Sequence, residues 1–134
     1  MLFNNHLLLR ALTFNAIFSG FSALFMFVAG KWLAEQFGLQ GPLLVYALGA
    51  FLALFAVQLA NIVRTRQIKA WEIKGIISGD LAWVAASVAL IALYYQSITA
   101  AGLMLLDVVA VAVLFFAIMQ IRGLREYQKT PVPG

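Results

Sequence analysis

Two aspartates, Asp80 and Asp107, stand inside long apolar runs of this chain. An ionised carboxylate in such a place costs about 2.5–3.5 kcal/mol on membrane-insertion scales, so something must offset it. Two chemistries fit: a group that holds a proton or meets a cation, or a hydrogen-bonded polar residue that keeps helices in register. Asp80 lies five residues beyond Gly75, about 8 Å inside its run at 1.5 Å per residue. Asn15 is five residues beyond Arg10 and Gln58 is six before Arg64, so the three share a depth. They are the candidate ligand- or proton-contacting set, with Asp107 about 10 Å in from the opposite side as the fourth candidate. The two aspartates are separated by roughly 12 Å along a 30 Å core, too far for a shared-proton pair.

Other chemistry has little to stand on. There is no cysteine and a single histidine, His6, which excludes disulfides, thiol catalysis, a Cys-ligated metal and a bis-histidine haem within one chain. Ser19-Gly20 and Ser78-Gly79 lack the flanking pattern and the partners of a serine hydrolase. No cofactor and no metal is expected, and no nucleophile and base converge for an enzyme acting on lipid. The net charge of +4 does not point to nucleic acid, because the basic residues flank the apolar runs.

The elements that must carry these residues follow from composition. Of 134 residues, 64% are hydrophobic and 10% charged. A soluble domain has about 25% charged residues, so this chain cannot cover a water-facing surface. Four apolar segments of about 20 residues span roughly 8–30, 42–63, 75–95 and 100–121, each long enough to cross about 30 Å of hydrocarbon as a helix. The first is longer than the 7–15 apolar residues of a signal peptide. The expected fold is all-α, a single four-helix transmembrane bundle over residues 1–134. Lys31–Gly41, with Trp32 and Phe37, reads as an interfacial loop, and the Pro131 and Pro133 tail cannot continue a helix.

Eight Lys and Arg fall on one side: Arg10, then Arg64, Arg66, Lys69 and Lys74 in the second loop, then Arg122, Arg125 and Lys129. Only Lys31 falls on the other. The positive-inside rule places both termini in the cytoplasm, and the membrane is expected to be the plasma membrane, the inner one in a bacterium. Arg64, Arg66, Lys69 and Lys74 are expected to face anionic headgroups.

Two patterns suggest how the spans pack. Ile17-Phe18-Ser19-Gly20-x-x-Ala23 matches Ile76-Ile77-Ser78-Gly79-x-x-Ala82, and Phe55-Ala56-Val57 matches Phe116-Ala117-Ile118, as two tandem hairpins related by duplication would. Small residues recur at helical spacing: Gly20 and Ala23 in the first span, Gly49 and Ala53 in the second, Gly75, Gly79 and Ala82 in the third. Small residues let backbones approach, which drives packing where lipid removes the hydrophobic effect. Such seams fit the bundle itself, a homo-oligomer or a larger membrane complex. The function that follows is a non-enzymatic membrane protein, an interaction or accessory subunit or a lipid-contacting scaffold. The alternative is a small proton- or cation-coupled transporter or channel that uses Asp80.

Overall fold

The computed structural model describes residues 6–129, and they are all-helical. The five helices are α1 (His6–Val28), α2 (Gly30–Gln36), α3 (Leu43–Thr65), α4 (Ala70–Tyr94) and α5 (Ala100–Lys129). Four of them, all but α2, are long and apolar enough to cross a membrane. Large apolar side chains such as Phe21, Val28, Leu43, Leu54, Leu93 and Met104 are exposed. Contiguous apolar surface on this scale suits lipid rather than water.

The segment read as a loop over Lys31–Gly41 contains α2. The backbone of α1 breaks at Ala29, and Gly30 packs flat on the Tyr46 ring, where a Cβ would collide. The end of α2 is a Schellman turn: Gly38 takes a left-handed φ of 69°, Gly38 N donates to Glu35 O at 3.2 Å and Leu39 N to Ala34 O at 2.8 Å. Thr99 then ties this turn to the next connection. Its N–H donates to Gln36 O at 2.9 Å, and its hydroxyl accepts from Gly102 N at 3.1 Å, capping the start of α5. At the other end, α3 stops at Arg66, a non-glycine residue at φ 55° whose N–H donates to Ile62 O at 2.7 Å. The α3–α4 connection is therefore only 66–69, shorter than the second loop expected to hold Arg64, Arg66, Lys69 and Lys74, so that Arg64 lies in the last turn of α3 and Lys74 lies in α4. The last helix runs past Ile121 to Lys129, about 45 Å at 1.5 Å per residue, so its charged last turns extend beyond a 30 Å core.

The long helices form an incomplete ring. α1 packs against both α3 and α5, and α4 packs against α5, but no Cα of α4 lies within 8 Å of one on α1 or α3. The order is α3, α1, α5, α4, with the ring open between α4 and α3. Side chains close that gap only at the end that carries the basic residues, where Leu8, Leu12, Leu59, Ile62, Ile73, Ile76, Ile77 and Leu124 make a buried core. A smaller core of Leu33, Ala34 and Val45, joined by Phe37, Leu39 and Leu105, plugs the opposite end.

Only part of the small-residue seams lies at close approaches. Ala23 is buried, and a Cβ on Gly49 would come within 3.1 Å of Met26 Cβ. Gly75, Gly79 and Ala82, in contrast, are exposed, a Cβ on Gly75 or Gly20 would meet nothing within 4 Å, and Ala53 is half-buried. The tight crossing of α1 and α5 is at Gly123, where a Cβ would come within 2.7 Å of Leu8 Cα. On α4 the buried positions are Ile73, Ile76, Ile77, Asp80 and Ser87, and Gly75 and Gly79 instead line the hollow on the open side of the ring.

Candidate functional site

Three helices converge on one carboxylate. Asn15 of α1, Asp80 of α4 and Gln120 of α5 are 1%, 4% and 0% exposed. Asn15 Nδ2 donates to Asp80 Oδ2 at 2.8 Å and to Gln120 Oε1 at 2.9 Å. Gln120 Nε2 donates to the same Asp80 Oδ2 at 2.8 Å, which closes a triangle. Ser19 Oγ, one turn along α1, donates to Asn15 Oδ1 at 3.1 Å. As an ionised carboxylate, Asp80 only accepts hydrogen bonds, so both amide NH₂ groups must turn toward it, and their orientations are fixed by that chemistry. The edge-on contact of Phe18 with Phe116, ring centroids 5.5 Å apart, packs α1 on α5 beside the cluster.

Both donors reach Oδ2. Oδ1 has no hydrogen-bond donor among the described residues. Asp80 lines a cleft of about 660 Å³ that occupies the open side of the ring between α3 and α4. Its walls are apolar and aromatic, with Phe18, Phe25, Phe51, Phe55, Trp83 and Tyr94 among them. Asp80 is its one charged lining residue among the described residues. Along α4 the lining runs from Gly79 to Tyr94, about 22 Å at 1.5 Å per residue, with Asp80 near one end. A second hollow of about 390 Å³ shares Phe51, Phe55 and Gly79 with the first, so the two meet across the Phe55–Gly79 constriction. Trp83 Nε1 is buried without an acceptor among the described residues, an orphan donor in the wall of the cleft.

The four candidate residues are thus treated differently. Asn15 and Asp80 are in direct contact. Gln58 is exposed and donates to Glu72 Oε2 at 3.3 Å, away from the cluster, because its position on α3 turns outward beside the buried Leu59. Asp107 is exposed on α5 between Met104, Val108 and Val111, with no hydrogen bond or ion pair among the described residues. Gln120 is the member of the cluster that the sequence pattern does not single out. It stands two residues before Arg122 and reads as a boundary residue, yet it continues the buried stripe Val113, Ala117, Gln120, Leu124. That stripe is the signal that identifies it.

Chemically the cluster can accept a hydrogen bond or a positive charge at Oδ1, or hold a proton there. The hydroxyls nearby are engaged without a base: Ser19 bonds Asn15, and Ser87 Oγ donates to Trp83 O at 2.8 Å. Among the described residues there is no group of His, Cys, Asp and Glu that could hold a metal ion. Arg64, Arg66, Lys69 and Lys74 are all exposed at the basic end, Arg64 with its guanidinium on Asn61 Oδ1 at 2.9 Å. Comparison with known proteins adds nothing to this picture: no family model, no curated protein and no solved structure matches the chain.

Proposed function

We propose that the chain is a four-span membrane protein, both termini cytoplasmic, that acts without catalysis by holding a lipophilic molecule in the cleft between α3 and α4. One observation carries the reading: an apolar cleft of about 660 Å³ on the open side of the ring, closed by packed cores at both ends and ending on a buried carboxylate. Its size is within the 300–1,000 Å³ of small-molecule sites, and a few convergent polar groups in an apolar wall are what such sites use for orientation. Access from the side suits a ligand that arrives through the bilayer. The four exposed basic residues at one end suit anionic headgroups and would set the chain's depth.

Native mass spectrometry of the chain extracted in mild detergent tests this. A lipophilic adduct is expected on the native chain and is expected to be lost in Ala86→Phe, which fills the cleft from α4 without touching the polar triangle. An adduct that survives this substitution would place the ligand elsewhere and overturn the reading.

A second reading, proton- or cation-coupled transport, draws on Asp80 Oδ1, which faces no donor among the described residues. It needs a proton or cation route from the cleft to the basic end, past the core around Leu8, Leu12 and Ile62.

A further inference from the structure

We infer that the molecule held in the cleft is a lipophilic monocation, its charge set against Asp80 and its apolar body between the aromatic walls. This rests on the cleft being a lipophile site and names the class of ligand it takes. Three features carry the inference independently of one another.

The first is charge. A carboxylate out of water either takes up a proton or is kept ionised by a countercharge beside its hydrogen bonds. The side chains that bond Asp80, Asn15 and Gln120, are both neutral, and the cleft has no Lys, Arg or His among its described lining residues. The described lining supplies no countercharge, and a ligand can bring it. An anionic amphiphile would instead add a second negative charge to a wall that has nothing to neutralise the first.

The second is the wall itself. Phe18, Phe55 and Trp83 line the part of the cleft nearest Asp80, and Phe25, Phe51 and Tyr94 line the rest of it. Aromatic faces attract cations through the ring quadrupole, most strongly where water is excluded.

The third is the donor set. A divalent metal ion would need six or more oxygens. Beyond the carboxylate the side-chain oxygens of the described lining are those of Asn15, Ser19, Ser22, Ser87, Tyr94 and Ser97, with Asn15, Ser19 and Ser87 already bonded and Tyr94 at the far end of the cleft. One carboxylate with one free oxygen matches a single diffuse charge on an apolar body.

The probe is radiolabelled tetraphenylphosphonium, added to the full chain in phosphatidylcholine nanodiscs and corrected for uptake by empty discs. Tetraphenylborate, of matching size and opposite charge, is the control. Saturable binding of the phosphonium is expected, displaced by unlabelled phosphonium and not by the borate. Asp80→Asn is expected to weaken it by about tenfold, the loss of one charge-assisted contact. Equal binding of the two ions, no saturable binding of either, or an unchanged affinity in Asp80→Asn would each overturn the inference. Should Asp80→Asn fail to fold, the comparison of the two ions on the native chain still decides. The underlying reading fails separately: a neutral lipid adduct that Ala86→Phe removes, with no preference for the cation, would sink the monocation and leave the lipophile site standing.

Discussion

At the scale of single residues, the triangle of Asn15, Asp80 and Gln120 holds three helices to one oxygen atom. Removing Gln120 as Gln120→Leu takes one of two donors from a buried carboxylate and one acceptor from Asn15. The cost of leaving such a group short of a partner is about 1–3 kcal/mol. That exceeds the average of about 0.6 kcal/mol measured for an interhelical hydrogen bond in a membrane protein, because the orphaned partner here is charged. Gln58→Ala is the matched control: its bond to Glu72 is exposed and long at 3.3 Å, so a change within about 0.5 kcal/mol is expected. Unfolding in mixed micelles measures both, and equal effects of the two substitutions would mean that the triangle contributes nothing. Depth was legible in the sequence and direction was not. Counting from Arg10, Arg64 and Gly75 put Asn15, Gln58 and Asp80 at one level, but a span that is apolar on all sides does not show which face is inward. Gln58 therefore shares the depth of Asp80 and yet is exposed, while Gln120, which depth alone does not single out, is buried against it.

At the scale of helices, all four spans could be read from length and apolar runs, because a membrane-crossing segment has to satisfy its own backbone. The short helix α2 could not. It depends on Gly30 meeting Tyr46 and on Thr99 closing over Gln36, contacts between residues far apart in the chain. Small residues misled for a related reason. They mark where backbones are able to approach, and only the assembled ring decides where they do. Gly123 and Gly75 separate the two cases. A Cβ at Gly123 would come within 2.8 Å of Leu8 N and 2.7 Å of its Cα, backbone atoms that cannot step aside, whereas at Gly75 it would meet nothing within 4 Å. Gly123→Ala is expected to destabilise the fold by about 1–3 kcal/mol through overpacking. Gly75→Ala is expected to be neutral or to gain up to about 1 kcal/mol from helix propensity. Thermal unfolding in detergent reads the pair, and a reversal of their order would mean that α1 and α5 do not cross at Gly123.

At the scale of the whole molecule, the repeat pattern read in the sequence does not extend to the polar cluster. The repeat read from the sequence relates α1 to α4 at an offset of 59 residues and α3 to α5 at 61. At those offsets Asn15 falls on Lys74, Asp80 on Phe21 and Gln120 on Leu59. None of the three polar residues has a polar counterpart of the same kind, so the cluster is built by one half using a residue of the other, and the cleft has a single polar end.

That asymmetry makes orientation matter, since it fixes the leaflet in which the cleft's polar end lies. The structure supplies half of the answer. The start of α1, the end of α3, the start of α4 and the last turns of α5 come together around Leu8, Ile62, Ile73 and Leu124. The residues Arg10, Arg64, Arg66, Lys69, Lys74, Arg122, Arg125 and Lys129 therefore share one end of the ring, and Lys31 is at the other. Transfer of basic residues across a bilayer during insertion is disfavoured, and the bias counts when charges are close to the span ends in short loops. The four-residue 66–69 connection meets that condition fully. The basic end is therefore expected in the cytoplasm, with Asp80 in the inner third of the bilayer. Topology reporters fused after Lys129 and inserted between Leu39 and Gly41 should give opposite signals, cytoplasmic for the first. Reversing the bias, by Arg64→Glu, Arg66→Glu and Lys69→Glu together with Glu35→Lys and Gln36→Lys, should move part of the population to the inverted orientation. A cytoplasmic signal from the Leu39–Gly41 site in the native chain would refute the assignment and would place Asp80, with the polar end of the cleft, in the outer leaflet.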